Sequence, residues 1–501
     1  MPSPIVILHG WSDNASSFKK LGTKLRERSG RQTVDVLLGD WVSLDDDVTF
    51  ADLAAAMDRA WRAHPELGGR PPRSVDCVIH STGALVVREW MASYFPDRAA
   101  CPIHRLVMLA PANFGSPLAH HGKSVLGRAR NGYRSIKKGK GDRLFETGTQ
   151  ILSGLELGSA YTTDLAYRDL FGARGKHFGP GGTLCSVIVG NEGNLGPLGM
   201  LEFDGSDGTV RTSTASLRCR RLSAEFRYAN APGLSEDERE ARLEVEPRST
   251  KCTATTAFRI VDGLDHGDVT LKTRRRDRAG KAAQDATLGL ILDALSVTDD
   301  GFTGFVEEWD RATAGLQAQL DADQRRHASD GNPFTLTDDE KHAHHNFVLN
   351  LRDSHGVAVT DFVLELYNRS EFDRYGSIPR DSMTRTLNRK VIDDVHEFRL
   401  DGSRRCFHLD LFELQELCEQ RPDAKLSISV SANPSLNSAR SGGSPNRAGY
   451  YSFERDDIGS IDLPLAKQLS RSPWFAPHAT TLAEFTIERQ QLSELFEISE
   501  L

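Results

Sequence analysis

Apolar and polar positions along this chain follow two rhythms, and they change over near residue 297. Before that point, short, largely apolar runs of strand length alternate with stretches whose apolar residues recur every three or four positions. Residues 4–8, 33–38, 75–79, 105–111, 183–190 and 257–261 are runs of the first kind, the pattern of strands buried on both faces. Between them, Phe18, Leu21 and Leu25 fall on one helical face, as do Leu53, Ala56, Met57 and Trp61. Further helices are expected from the turn at Ser81 to about Tyr94 and over residues 288–295. Strands alternating with helices predict an α/β fold with a doubly wound, mostly parallel sheet, its functional groups at the carboxyl ends of the strands.

After residue 297 the texture differs. Residues 305–320 keep a helical spacing and 321–330 are polar. Short alternating segments then appear at 347–351, 357–359, 362–367, 395–400, 405–411, 425–430 and 482–487, separated by Gly, Asn, Asp and Ser turns. This pattern predicts an antiparallel β-sandwich, with a Ser/Gly/Asn-rich loop at 433–447. The expected division is an α/β domain over 1–297, a helical linker over 298–345 and a β-sandwich accessory domain over 346–501.

The chemistry concentrates where the third apolar run ends. Asp76-Cys77-Val78-Ile79-His80-Ser81-Thr82-Gly83-Ala84-Leu85-Val86-Val87-Arg88 reads as a strand, an abrupt turn carrying Ser81, and a helix opening on small residues. Such an elbow exposes a serine hydroxyl at the top of a parallel sheet. The stretch resembles the elbow of the α/β-hydrolases, specifically the lipase and carboxylesterase branch, where it reads roughly H-S-x-G-G-L-V-V-R. Ile79 stands where G-x-S-x-G has its first glycine, which points to a shifted elbow. Two more landmarks resemble that branch: His9-Gly10-Trp11 after the first strand, and Ala112-Asn113-Phe114-Gly115-Ser116-Pro117-Leu118-Ala119 after the strand that follows the elbow.

The resemblance implies a Ser-His-Asp triad. Ser81 would be the nucleophile and His266 the general base, in the turn Asp262-Gly263-Leu264-Asp265-His266 after the last strand. The acid would be Asp207 in Asp207-Gly208-Thr209-Val210, with Asp204 as competitor. Backbone N–H groups of Trp11 and Thr82 would form the oxyanion hole. This order, Ser then Asp then His, is that of the family. The mechanism implied is ester cleavage through an acyl-enzyme, which calls on no cofactor or metal. Two Asp-Gly turns without catalytic duty are the plainer reading of Asp204 and Asp207, and a calcium loop fits less well because its ligand pattern is incomplete. A thioesterase or amidase on the same scaffold, or a binding protein on a degenerate one, are the alternatives.

Charge sharpens the substrate. An insertion is expected at about 117–182, where the family carries a lid. From Lys123 to Arg143 it holds Arg128, Arg130, Arg134, Lys137, Lys138 and Lys140 against a single acid, Asp142. Apolar positions follow at Ile151, Leu152, Leu155, Leu157 and Leu165. A basic, partly apolar lid suits a phospholipid or another lipid ester, and peripheral contact with a membrane; a solvated basic face is the plainer reading. The formal net charge of −8 argues against nucleic acid as a partner. No apolar run approaches a membrane span, no export signal opens the chain, and seven dispersed cysteines suit reduced thiols, so a cytoplasmic protein is expected. In the second half His342, His344 and His345 lack companion ligands at metal spacing and read as a solvated loop, and nothing there assigns a protein partner.

Overall fold

The computed structural model describes residues 3–8, 18–36, 47–119, 148–171, 177–193, 203–228, 241–242, 247–272, 275, 277–329, 341–371, 382–432, 449–450, 461–463, 474–487 and 489–490. By their contacts the residues form two units. The first holds 1–219, 251–344 and 478–480; the second holds 220–250, 345–477 and 481–501.

In the first unit, six strands form one sheet: β1 (Ile5–Leu8), β2 (Thr33–Val36), β3 (Val75–His80), β4 (Ile103–Leu109), β5 (Leu184–Gly190) and β6 (Thr256–Val261), in the order β2-β1-β3-β4-β5-β6. Every adjacent pair is parallel. All residues of β1, β3 and β5 are buried, which is why these strands are mostly apolar, with Asp76, His80 and Ser186 as buried polar exceptions. Helices α1 (Lys19–Ser29), α2 (Phe50–Ala63), α3 (Gly83–Tyr94), α4 (Thr149–Leu155), α5 (Ala160–Ala166), α6 (Arg278–Ala294) and α7 (Asp299–Ser329) belong to this unit. Helix α2 starts on a reciprocal capping box between Thr49 and Asp52, and turns Leu53, Ala56, Met57 and Trp61 inward. The chain leaves β1 for β2 on one side and returns to β3 on the other. That reversal opens a crevice at the carboxyl ends of β1 and β3, and Ser81 follows β3 directly.

Ile79 does not shift the elbow. It pairs with Leu8 and Met108 inside the sheet and is fully buried, and the strand runs on through His80 before turning. The reversal is concentrated at Ser81, which takes φ +54°.

Helix α7, expected within a linker, belongs by its contacts to the first unit. Its Thr313 hydroxyl donates to the Phe258 carbonyl of β6 at 3.0 Å. At its first residue, the Asp299 carboxylate accepts from Arg73 at 2.6 Å and from the Gly181 N–H at 2.7 Å, and lies 3.4 Å from His104 Nε2. Arg73, His104 and Gly181 lie at the amino ends of β3, β4 and β5, so one carboxylate gathers three strands at the end remote from Ser81. Burial opposes ionisation of Asp299, but the Gly181 N–H and Arg73 outweigh it and hold its pKa down at about 2. An unfolded Asp titrates near ~3.9, so this stabilisation is complete above that value and is lost as the pH falls from about 4 to about 2. Asp299→Asn is expected to cost about 1 kcal/mol at pH 7, after allowance for solvent screening. In thermal unfolding, the gap to the unmodified protein should narrow by pH 3; a gap independent of pH would rule out a role for the ionised carboxylate.

The second unit is built largely of sheet. One sheet runs in the order Ile392–Glu397, Arg404–Asp410, His344–Asp353, Ala479–Ile487, Cys219–Tyr228 and Ala241–Arg242, with Arg248–Lys251 beside Cys219–Tyr228; another runs Phe362–Asn368, Leu426–Ala432, Ile461–Leu463. The registers described in this unit are antiparallel. Leu222, Phe347, Leu349 and Phe485 from the first sheet share one buried core with Phe362, Leu364, Ile428 and Val430 from the second. Three points depart from the sequence reading. Residues 220–250, expected in the first domain, belong to the second unit. Residues 357–359 form no strand, only an isolated bridge between Arg352 and Ala358. Leu411 opens a helix to Gln420, capped by Asp410, whose side chain accepts from the Glu413 N–H.

The expected solvated loop at His342, His344 and His345 is also corrected. All three are buried, and His344 and His345 open the strand His344–Asp353. His345 Nδ1 lies 3.0 Å from the Ala476 carbonyl and its Nε2 3.0 Å from the Thr481 hydroxyl. Burial pushes its pKa down to about 3. A neutral imidazole bonded through both nitrogens is accommodated in a core, which a polar run in the sequence does not announce.

Candidate active site

The positive φ of Ser81 is rare for a residue with a side chain and carries strain, and its neighbours hold it there. Its N–H donates to the Leu109 carbonyl at 3.0 Å, and its carbonyl accepts from the Ala84 N–H at 3.1 Å. The first bond extends the ladder to β4 and the second closes the first turn of α3. The hydroxyl is thereby held at the carboxyl end of the sheet.

His266 arrives from the loop after β6. Its Nε2 lies 3.1 Å from Ser81 Oγ and its Nδ1 lies 2.9 Å from Asp207 Oδ2. The His266 N–H also donates to the Asp207 carbonyl at 2.9 Å. The loop can approach because β5 ends in glycine: a Cβ at Gly190 would collide with the Leu264 carbonyl. Asp207 is fully buried. Its other carboxylate oxygen accepts from the Thr209 N–H at 3.0 Å and the Val210 N–H at 2.9 Å. Val210 therefore matters through its peptide as well as its side chain. Ser116, from the motif after β4, donates its hydroxyl to the Thr209 carbonyl at 2.5 Å and pins the same turn.

No family model matches this chain, and neither does any curated protein. Among solved structures, phospholipase PlaB from Legionella pneumophila superposes with a TM-score of 0.71 at 24% identity, over 99% of this chain and 96% of that one. PlaB in complex with thio-NAD superposes with a TM-score of 0.70 at 23% identity, with the same coverage. With the parallel sheet, its switch point and the elbow in place, that likeness decides the fold. The first unit has the α/β-hydrolase fold.

Within this unit, Ser81, Asp207 and His266 converge. Asp204, the competing acid, lies three positions earlier in the sequence and is partly exposed; the carboxylate on the His266 ring is that of Asp207. Thr82 is the N-cap of α3, where a backbone N–H has no intrahelical acceptor and the helix dipole favours negative charge. Trp11 and the basic stretch from Lys123 to Arg143 lie outside the described residues. No described helix is long and apolar enough to cross a membrane.

The described part of the insertion is packed against the elbow helix. Arg88 of α3 makes a bidentate pair with Asp169, Nε to Oδ2 at 2.7 Å and Nη2 to Oδ1 at 3.0 Å, and its Nη1 donates to the Asn113 carbonyl at 2.9 Å. Both charged side chains are buried. At the next position, Glu89 accepts from Arg168 at 2.7 Å and from the Tyr161 hydroxyl at 3.1 Å. Gly115 takes φ +95°, and a Cβ there would stand 2.8 Å from the Leu155 carbonyl. Sequence reasoning quoted Arg88 and Asn113 within motifs without assigning them partners. Arg88 sits in an otherwise apolar helix start, which was a usable signal that it has a buried anion.

Proposed function

We propose that the chain is a serine hydrolase that cleaves carboxylic esters, with a lipid ester, of phospholipid type, as its substrate. The observation that carries this reading is the Ser81–His266–Asp207 geometry, a nucleophile 3.1 Å from a base that is itself 2.9 Å from a buried carboxylate. Ser81 attacks the ester carbonyl while His266 Nε2 takes its proton, and Asp207 holds the imidazole tautomer and balances the imidazolium charge. The oxyanion of the tetrahedral intermediate is held by the Thr82 N–H and, by resemblance, the Trp11 N–H. His266 then protonates the leaving alcohol, and the acyl-enzyme is released by a water that gives its proton to His266.

Two features support the lipid. The likeness to a phospholipase extends over nearly the whole chain, the second unit included, and the basic residues from Lys123 to Arg143 suit an anionic headgroup. A fluorophosphonate probe should label the protein and not Ser81→Ala; a folded protein that takes up no probe would end the hydrolase reading. A series of p-nitrophenyl esters beside phospholipid vesicles tests the substrate. Turnover of short acyl esters with none of long acyl chains or phospholipids would remove the lipid and leave an esterase.

A further inference from the structure

We infer that His80 is a positioning residue for the general base: its Nε2–H holds the main-chain carbonyl of His266 and so sets the distance between His266 and Ser81. The inference deepens the hydrolase reading and rests on it.

His80 is the last residue of β3, immediately before the nucleophile, and is buried. Its Nε2 lies 3.1 Å from the His266 carbonyl oxygen. A carbonyl only accepts, so this nitrogen carries the proton. The ring is held between Phe18, with centroids 5.5 Å apart, and the His266 ring, with centroids 4.6 Å apart.

Those contacts close a circuit. Ser81 Oγ meets His266 Nε2; the main chain of His266 meets His80 Nε2; and His80 is joined to Ser81 by one peptide bond. Other bonds secure the loop elsewhere: the Leu264 carbonyl accepts from the Glu192 N–H at 3.1 Å, and Asp265 accepts from the N–H groups of Gly267 and Asp268. These attach the loop to the segment after β5 and to its own turn. The His80 bond references it to the strand that carries the nucleophile. A misplacement of ~1 Å at a reacting pair can cost ~100-fold in rate, so tying base and nucleophile to one strand end has a kinetic consequence.

The donor also has to be neutral. His266 becomes a cation as it takes the serine proton, and a second cation at ring-contact distance would oppose that step. A lysine could reach the carbonyl but would add such a charge. A neutral imidazole supplies the N–H and fills the space between the two rings.

The test compares His80→Phe, which keeps the ring packing and loses the donor, with His80→Gln, which restores a neutral N–H. Turnover is measured per active site titrated with the fluorophosphonate, so that misfolded protein is not counted. His80→Phe is expected to lower kcat about 10- to 100-fold with KM within about twofold, and His80→Gln to recover to within about fivefold of the unmodified protein. Unchanged kcat in His80→Phe, or equal loss in both variants, would overturn the positioning role. A second measurement needs no substrate: the downfield Nδ1 proton of His266 in NMR spectra should broaden or vanish in His80→Phe and persist in His80→Gln. If the unmodified protein takes up no probe, the hydrolase reading falls, while this proton signal still decides whether His80 orients His266.

Discussion

Asp207→Asn is expected to lower kcat about 10^4-fold, the scale that a wrong imidazole tautomer costs a triad. The surroundings of the carboxylate say why an isosteric change would do so much. Its Oδ1 side faces the N–H groups of Thr209 and Val210, and its Oδ2 side faces His266 Nδ1. An asparagine must turn its carbonyl oxygen toward the two backbone donors, because its NH2 cannot accept from them. That places the NH2 against His266, which then has to present a lone pair at Nδ1 and carry its proton on Nε2. The nitrogen facing Ser81 Oγ could no longer take the serine proton. Asp204→Asn is the control and should stay within about threefold, since Asp204 does not engage the ring. Turnover per titrated active site, with unfolding temperatures for both variants, checks the prediction. Activity retained in Asp207→Asn and lost in Asp204→Asn would reassign the acid.

The second large effect concerns stability. Arg88 and Asp169 form a bidentate pair with both charges buried, and the Arg88 guanidinium also stands over the Phe114 ring at 5.8 Å. Removing one partner strands the other charge in a medium of low dielectric, a change that costs ~3–5 kcal/mol. Asp169→Asn is therefore expected to lower the stability of the first unit by about that amount. Replacing both charges by apolar groups, Arg88→Met with Asp169→Leu, should recover most of the loss, because no unpaired charge remains. Urea unfolding followed on the first unit measures both. A loss below about 1 kcal/mol in Asp169→Asn would mean that water reaches the pair. The pair adjoins the site, since Arg88 lies on the helix that starts at the elbow and Asn113 on the segment after β4.

What could be read in the chain itself was whatever short-range physics determines. The largely apolar runs of β1, β3, β4 and β5 identify a parallel sheet because a strand covered on both faces needs apolar residues on both of them. Ser81 is legible because a strand, a small-residue turn and a helix follow one another within a dozen residues. Asp207 and His266 were legible through their place after strands, in the order a known fold uses. The alternation in the Cys219–Tyr228 strand was also present, with Leu222 and Ala224 buried and Arg221 exposed. Adjacency in sequence suggested the wrong unit for it, because partnership in a sheet is decided by residues far along the chain.

What only the tertiary structure decided were the long-range pairings of polar groups. His80 reads as a motif residue until the carbonyl 186 positions away stands at its Nε2. Arg88 and Asp169, 81 positions apart, are two charges of opposite sign until both are buried together. Asp299 is one acid among many in the sequence until three strand ends converge on it. Hydrophobic patterning is local because each strand or helix has a repeating geometry that the sequence must match. Polar contacts carry no such period, and each depends on where the fold brings its partner.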